Sequence, residues 1–218
     1  MKGALFDVDG TLVDSMPMWN QCGKRYLAAR GITTDEDLAG LMKLIPIHES
    51  GKHIKERYRL PETAEEITRG LNDIALDFYM NEAVLKPFIP ELLEKMKRKG
   101  IPMAVATASA KEVVEPLLTR LGVIDCFCDI HTCKTVGLPK TDPDYFACCA
   151  SLLGTSLSET FVFEDMPHAA ASAVKAGLTV VGMYDAESYE VEPTMRELCY
   201  RFIKTEEDFR SFCCEMGL

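Results

Sequence analysis

Residues 5–14 read Leu5-Phe6-Asp7-Val8-Asp9-Gly10-Thr11-Leu12-Val13-Asp14, and the order of residue types in this run decides how the rest of the chain is read. An apolar strand over 3–6 runs into two carboxylates one residue apart, and Gly10-Thr11 then turns the chain. Positions i and i+2 of a strand point to the same side. Asp7 and Asp9 are therefore expected to face one site at the carboxyl end of a strand, where open α/β sheets bind their ligands. Two crowded carboxylates repel unless a cation or a proton separates them. The competing reading is an acidic β-turn, since Asp-Gly is a common turn pair.

Outward from this run, the pattern changes twice. Residues 15–85 carry four helix-like stretches, at 16–30, 35–44, 49–58 and 63–82, broken at Gly31, Pro46 and Pro61. Four helices after a single strand are too many for a simple crossover and read as an inserted helical bundle. From Pro87 onward strands and helices alternate. The spacing predicts a helix over 90–99 stopped by Gly100, a buried strand over 102–107, and a helix capped by Ser109 and running to 121, with Pro116 kinking it or resetting its start. A strand is predicted over 127–132, and a helix opened by Asp142-Pro143 that ends near Gly154. A strand over 160–163, a helix over 168–176 closed by Gly177 and a last short strand over 179–184 follow. Thr205-Glu206-Glu207-Asp208 has the form of a capping box for a terminal helix. The fold class is α/β: a Rossmann-like doubly wound parallel sheet formed by residues 1–14 and 86–218, interrupted by a helical domain over 15–85.

Composition narrows the partners. In 218 residues the net charge is −10, which argues against nucleic acid or an anionic membrane as a partner, since both present phosphates. An anionic small substrate would then need a locally positive site or a metal ion. No apolar run reaches membrane-spanning length, and the chain enters a strand at once without a signal peptide. The nine cysteines form no C-x-x-C pair, so neither a zinc site nor a thioredoxin-like motif is supported; they read as small buried residues of a reducing, cytoplasmic protein. The 47% apolar content is ordinary and leaves the oligomeric state open.

The opening run resembles the first motif of the haloacid dehalogenase superfamily. Three later segments fall in the order that resemblance requires: Val105-Ala106-Thr107-Ala108-Ser109 is similar to its second motif, Lys140 to its third and Phe163-Glu164-Asp165 to its fourth. Lys140-Thr141-Asp142-Pro143-Asp144-Tyr145-Phe146 further resembles a stretch of the helical-cap subfamily that includes phosphoglycolate phosphatases and β-phosphoglucomutases. The resemblance implies an Mg²⁺-dependent phosphatase acting on a small phosphorylated metabolite, with the helical insert as a lid that sets substrate choice.

It also implies roles. Asp7 would be the nucleophile forming an aspartyl-phosphate, and Asp9 the acid that protonates the leaving oxygen and then the base that activates water. Thr107 and the backbone N–H of Ala108 would hold the phosphoryl group, and Lys140 would neutralise Asp7 and the phosphoryl oxygens. Asp7, Asp9 (through its backbone carbonyl), Asp165 and Glu164, directly or through water, would serve the metal. In the lid, Trp19, Lys43, His48, Lys52 and His53 are candidates for substrate contact. Asp144 is expected to orient Lys140 or cap a helix, and His168 to cap its own helix or reach the site.

Departures from the pattern are local. Lys140 is followed by Thr141 rather than proline, and Met166 and Ala169 stand where serine and glycine are usual in the fourth motif. A β-phosphoglucomutase-like activity is the alternative. The histidine found about a dozen residues past the nucleophile in mutases is replaced by Trp19, and Thr11 stands where mutases often carry valine. Asp9 speaks against a dehalogenase. An inactive binding protein on this fold would be expected to have lost at least one of Asp7, Asp9, Lys140 and Asp165.

Overall fold

The computed structural model describes residues 1–38 and 47–218. Most of the helix expected at 35–44, together with Lys43 and the side chain of His48, lies outside the described residues. The chain divides into two compact units, one made of Met1–Asp14 with Val84–Leu218 and the other of Ser15–Ala83.

The first unit is built on six parallel strands: β1 (Gly3–Phe6), β2 (Met103–Thr107), β3 (Ile130–Thr132), β4 (Thr160–Glu164), β5 (Thr179–Met183) and β6 (Arg201–Ile203). They lie in the order β3-β2-β1-β4-β5-β6. This is a doubly wound sheet whose strand order reverses between β1 and β4, the place where such sheets open a crevice at their carboxyl ends. The three central strands β1, β2 and β4 are buried along their whole length, which explains why they read as continuous apolar runs rather than alternating ones. Phe6 pairs with Phe163 in register, and their rings stack at 4.4 Å. Phe212 of the terminal helix meets Phe163 edge-on at 5.9 Å. One further pairing joins the two ends of this unit's chain break: the Asp14 N–H donates to the Val84 carbonyl at 3.0 Å and the Lys86 N–H to that of Leu12 at 2.9 Å.

The second unit contains the helices α1 (Met16–Ala28), α2 (Ile47–Tyr58) and α3 (Ala64–Asn81). Thr63 and Glu66 close a capping box at the start of α3, and Ile67, Leu71, Ala75 and Phe78 turn its apolar stripe inward. Helix α2 packs on α3 through Gly51; a Cβ there would lie 2.2 Å from Thr68 Oγ1 and 2.6 Å from the Ala64 carbonyl oxygen.

Several sequence expectations need correction. β6 lies beyond the strand expected to be last, because only three residues pair there and Arg201 is exposed, too short a signal to separate from a loop. β3 starts at Ile130 rather than 127; a short 3₁₀ turn over Ile124–Cys126 occupies the chain just before. The helix over Lys111–Arg120 runs through Pro116 without restarting. That proline is exposed, and it removes one N–H donor from the ten-residue helix. Ser109 does not cap this helix: Ala110 holds the cap position, with no side-chain hydrogen bond.

Candidate active site

β1 and β4 deliver their acids side by side at the reversal point. The Asp7 N–H donates to the Phe163 carbonyl at 3.0 Å, so Asp7 leaves β1 level with Glu164 at the end of β4. Asp7, Glu164 and Asp165 are buried and each offers an oxygen within 4.8 Å of the others'. Into this group comes Lys140, from the loop between a single helical turn (Cys133–Val136) and the helix Pro143–Leu153. Its Nζ donates to Asp7 Oδ1 at 2.7 Å and Glu164 Oε2 at 2.5 Å, above the ring of Phe146 at 5.8 Å. Glu164 Oε1 also accepts from the Met166 N–H at 3.3 Å.

Asp9 reaches the same neighbourhood by a different route from the one the sequence suggested. β1 ends at Phe6, so Asp7 and Asp9 do not share a strand face. Residues 8–13 form a tight turn instead, closed by Val13 N–H to the Val8 carbonyl at 2.9 Å and Gly10 N–H to the Val13 carbonyl at 3.0 Å. The turn brings the Asp9 charge close enough to raise the Asp7 pKa. The Asp9 side chain is absent from the cluster of side-chain ligands formed by the other three acids among the described residues; a metal role for Asp9 is thus left to its backbone. Gly10 takes φ +78°, and a Cβ there would sit 2.3 Å from Asp165 Oδ2. Only glycine lets the turn lie against Asp165 this closely.

The electrostatics follow from burial. Asp7 is pushed up to about 7, first by burial and then by Glu164 and Asp9, with Lys140 opposing. Asp165 is raised well above the carboxylate range by burial, Glu164 and Asp7, with Lys140 and Lys86 opposing. For Lys140 burial is the largest influence and works against its charge, yet Asp7 and Glu164 together outweigh it and its pKa is raised. Three carboxylates and one ammonium are thus buried together, and the excess negative charge calls for a proton or a further cation. Asp165 Oδ2 is fully buried without a hydrogen-bond partner, while Oδ1 accepts from Thr11 Oγ1 at 3.2 Å. A hard, all-oxygen donor set with one orphaned buried oxygen fits Mg²⁺.

The other expected residues fall as follows. Thr107 is buried at the end of β2, and its Oγ1 accepts from the Ser109 N–H at 3.0 Å, which leaves the hydroxyl proton as the part to be offered to a ligand. Ala108 is exposed in the turn that follows. Asp144 is exposed, and the helix is capped by Asp142, which accepts from the Asp144 N–H at 3.0 Å. His168 is exposed and one residue inside its helix, whose cap position is Met166. Trp19 is half-buried against Tyr79, and Lys52 and His53 are exposed on α2. The sequence reading missed three supports. Thr11 holds Asp165; the Tyr145 hydroxyl donates to the carbonyls of His131 at 3.0 Å and Thr107 at 3.3 Å; Lys86 is buried against Asp185 at 2.7 Å. No local signal marks which distant carbonyls the Tyr145 hydroxyl meets.

A buried aspartate after the first strand, a lysine reaching it from another loop and a pair of acids where the fourth strand ends meet at the sheet reversal. Residues 4–183 match the model of the family described as haloacid dehalogenase-like hydrolase, and the chain belongs to that family. It is 30% identical to hexitol phosphatase A of Escherichia coli over 184 residues, covering 84% of this chain and 82% of the relative. It is likewise 30% identical to beta-phosphoglucomutase of Bacillus subtilis, covering 84% and 83%. Over 90% of this chain and 94% of the relative it is 27% identical to validoxylamine A 7'-phosphate phosphatase of Streptomyces hygroscopicus. In fold it is similar to the crystal structure of CbbY from Rhodobacter sphaeroides in complex with phosphate, with a TM-score of 0.76, 23% identity and 93% of each chain covered.

Proposed function

We propose that the protein is a phosphatase that removes the phosphoryl group from a small phosphorylated metabolite, of the sugar- or polyol-phosphate class, in an Mg²⁺-dependent reaction. The observation that carries this reading is the buried Lys140 held between Asp7 and Glu164 beside an Asp165 oxygen that nothing satisfies. The named relatives support the substrate class, since they include a hexitol phosphatase and a validoxylamine A 7'-phosphate phosphatase.

Hydrolysis of a phosphate monoester is among the slowest reactions in water, so no single device suffices. Asp7 attacks phosphorus; the bond to the ester oxygen breaks, and that oxygen takes a proton from Asp9 as the alcohol leaves. Water then attacks the aspartyl-phosphate and gives its proton to Asp9, releasing phosphate and restoring Asp7. Lys140 neutralises Asp7 as the dianion approaches and stays charged throughout. Thr107 and the Ala108 N–H hold the equatorial oxygens. Asp7, Asp165 and the Asp9 carbonyl would hold Mg²⁺; both oxygens of Glu164 already accept hydrogen bonds, which favours a role in seating Lys140 or a metal contact through water. When bound, the ion supplies charge compensation for nucleophile and phosphoryl group. The helical unit, Ser15–Ala83, is assigned the part of a substrate-selecting lid.

The test is phosphate release from a panel of phosphorylated metabolites with and without Mg²⁺, repeated with Asp7→Asn. Turnover that needs Mg²⁺ and vanishes in the variant supports the reading; turnover retained in Asp7→Asn removes Asp7 from its role. The similarity to a beta-phosphoglucomutase favours a second reading, isomerisation of a sugar phosphate. β-Glucose 1-phosphate with a bisphosphate primer distinguishes the two, since a mutase yields the 6-phosphate without releasing phosphate.

A further inference from the structure

Ser109 stands where a serine would ordinarily cap the helix that begins two residues later, yet that helix starts without a side-chain cap. The hydroxyl is engaged elsewhere. It donates to Asp9 Oδ2 at 2.8 Å, a contact between residues 100 positions apart in the sequence. The same residue's N–H donates to Thr107 Oγ1 at 3.0 Å. Ser109 is half-buried, and its backbone is thereby tied to the end of β2 while its hydroxyl reaches the turn after β1. The hydrogen bonds closing that turn hold the backbone on either side of Asp9, and which carboxyl oxygen carries a proton depends on which one accepts a hydrogen bond.

We propose that Ser109 is a positioning residue for proton transfer: it holds Asp9 Oδ2 as an acceptor, so that the proton is carried and returned on Oδ1. This rests on the reading of Asp9 as acid and base. A carboxylic acid whose Oδ2 accepts from a hydroxyl carries its own proton on the other oxygen. The carboxyl then presents one defined oxygen to the leaving group and afterwards to water, rather than sampling two. Proton transfer is sensitive to such geometry, and a positioned acid contributes far more than a rotating one.

The experiment compares kcat/KM for two esters that differ in their need for a proton. p-Nitrophenyl phosphate releases a stable phenolate, whereas an alkyl phosphate, taken as the best substrate from the metabolite panel, releases an alkoxide that must be protonated. Because kcat/KM reports the steps through phosphoryl transfer, Ser109→Ala should lower it by about ten- to a hundredfold for the alkyl ester. For p-nitrophenyl phosphate the change should stay within about threefold, because little acid assistance is needed there. Ser109→Thr, which keeps the hydroxyl, should restore the alkyl ester. Equal losses on both esters would show that Ser109 serves phosphoryl binding or loop structure, and an unchanged alkyl rate would show that it positions nothing; either result overturns the proposal. Asp9→Asn measured alongside separates the two levels. If it shows the split between esters and Ser109→Ala does not, only the positioning role fails. If Asp9→Asn lowers both esters alike, the acid–base reading itself fails.

Discussion

Asp7, Glu164 and Asp165 lie buried around Lys140, and their behaviour is governed by what balances their charge. In the metal-free protein the balance comes partly from protons, and Asp7 is pushed up to about 7 by burial. A carboxyl raised on folding holds its proton better in the native state. Its contribution to stability is therefore full below the ordinary aspartate range and is lost as pH rises through about 7. Thermal melts of the metal-free protein should accordingly show stability falling between about pH 4 and 7 relative to Asp7→Asn, which has no proton to lose. The rise in Tm on adding Mg²⁺ should grow over the same interval, as the ion replaces the proton; a rise independent of pH would remove Asp7 from the metal site. Lys140 carries the opposite burden. Lys140→Met leaves Asp7 and Glu164 facing each other without a cation and should lower kcat/KM by about a thousandfold, with the far-ultraviolet spectrum unchanged. A loss confined to KM would mean that the lysine only binds substrate.

The elements show why some of this could be read from the sequence and some could not. β1, β2 and β4 are buried on both faces, so their apolar runs stand out, and the acids that follow them mark the site. The helix opened by Asp142-Pro143 and the terminal helix opened by Thr205 carry their own start signals. β6 and the helix over Glu192–Leu198 were not legible, because short elements take their stability from tertiary packing rather than from a local pattern. Ser109 was misread for a related reason: serine before a helix is a cap by default, and only the fold brings Asp9 to it. Close packing is equally silent in sequence, and Gly51 is the example. Within a helix, alanine is ordinarily favoured over glycine by about 1 kcal/mol. At position 51 the added carbon would meet Thr68 Oγ1 at 2.2 Å and a backbone carbonyl at 2.6 Å. Gly51→Ala should therefore destabilise the helical unit by about 1–3 kcal/mol despite the gain in propensity. Urea denaturation checks the sign, and a more stable variant would mean that α2 and α3 shift apart without cost.

At the scale of the whole molecule, the division into two units follows from where the insert leaves and rejoins the sheet. The sequence placed that break near residues 14 and 85 because the helical run begins and ends there. The paired chain segments at the break explain how the sheet tolerates it. Asp14 and Val84 are hydrogen-bonded at 3.0 Å, and Val13 faces Leu85 in an antiparallel bridge. Joining 14 to 84 through two or three glycines therefore closes a short loop between positions already held together, and such loops carry little entropic cost. All the proposed catalytic groups, Asp7, Asp9, Thr107, Lys140, Glu164 and Asp165, belong to the sheet unit. A chain lacking residues 15–83 should then fold with a single cooperative melt, keep an Mg²⁺-dependent rise in Tm, and hydrolyse p-nitrophenyl phosphate. Discrimination among metabolites should fall toward uniformity, because the assigned selecting unit is gone and only phosphoryl recognition remains. The panel of phosphate esters reads this directly as a flattened profile of kcat/KM. If the shortened chain folds, binds Mg²⁺ and still prefers the same ester, substrate choice resides in the sheet unit, and the lid role assigned to the helices is wrong.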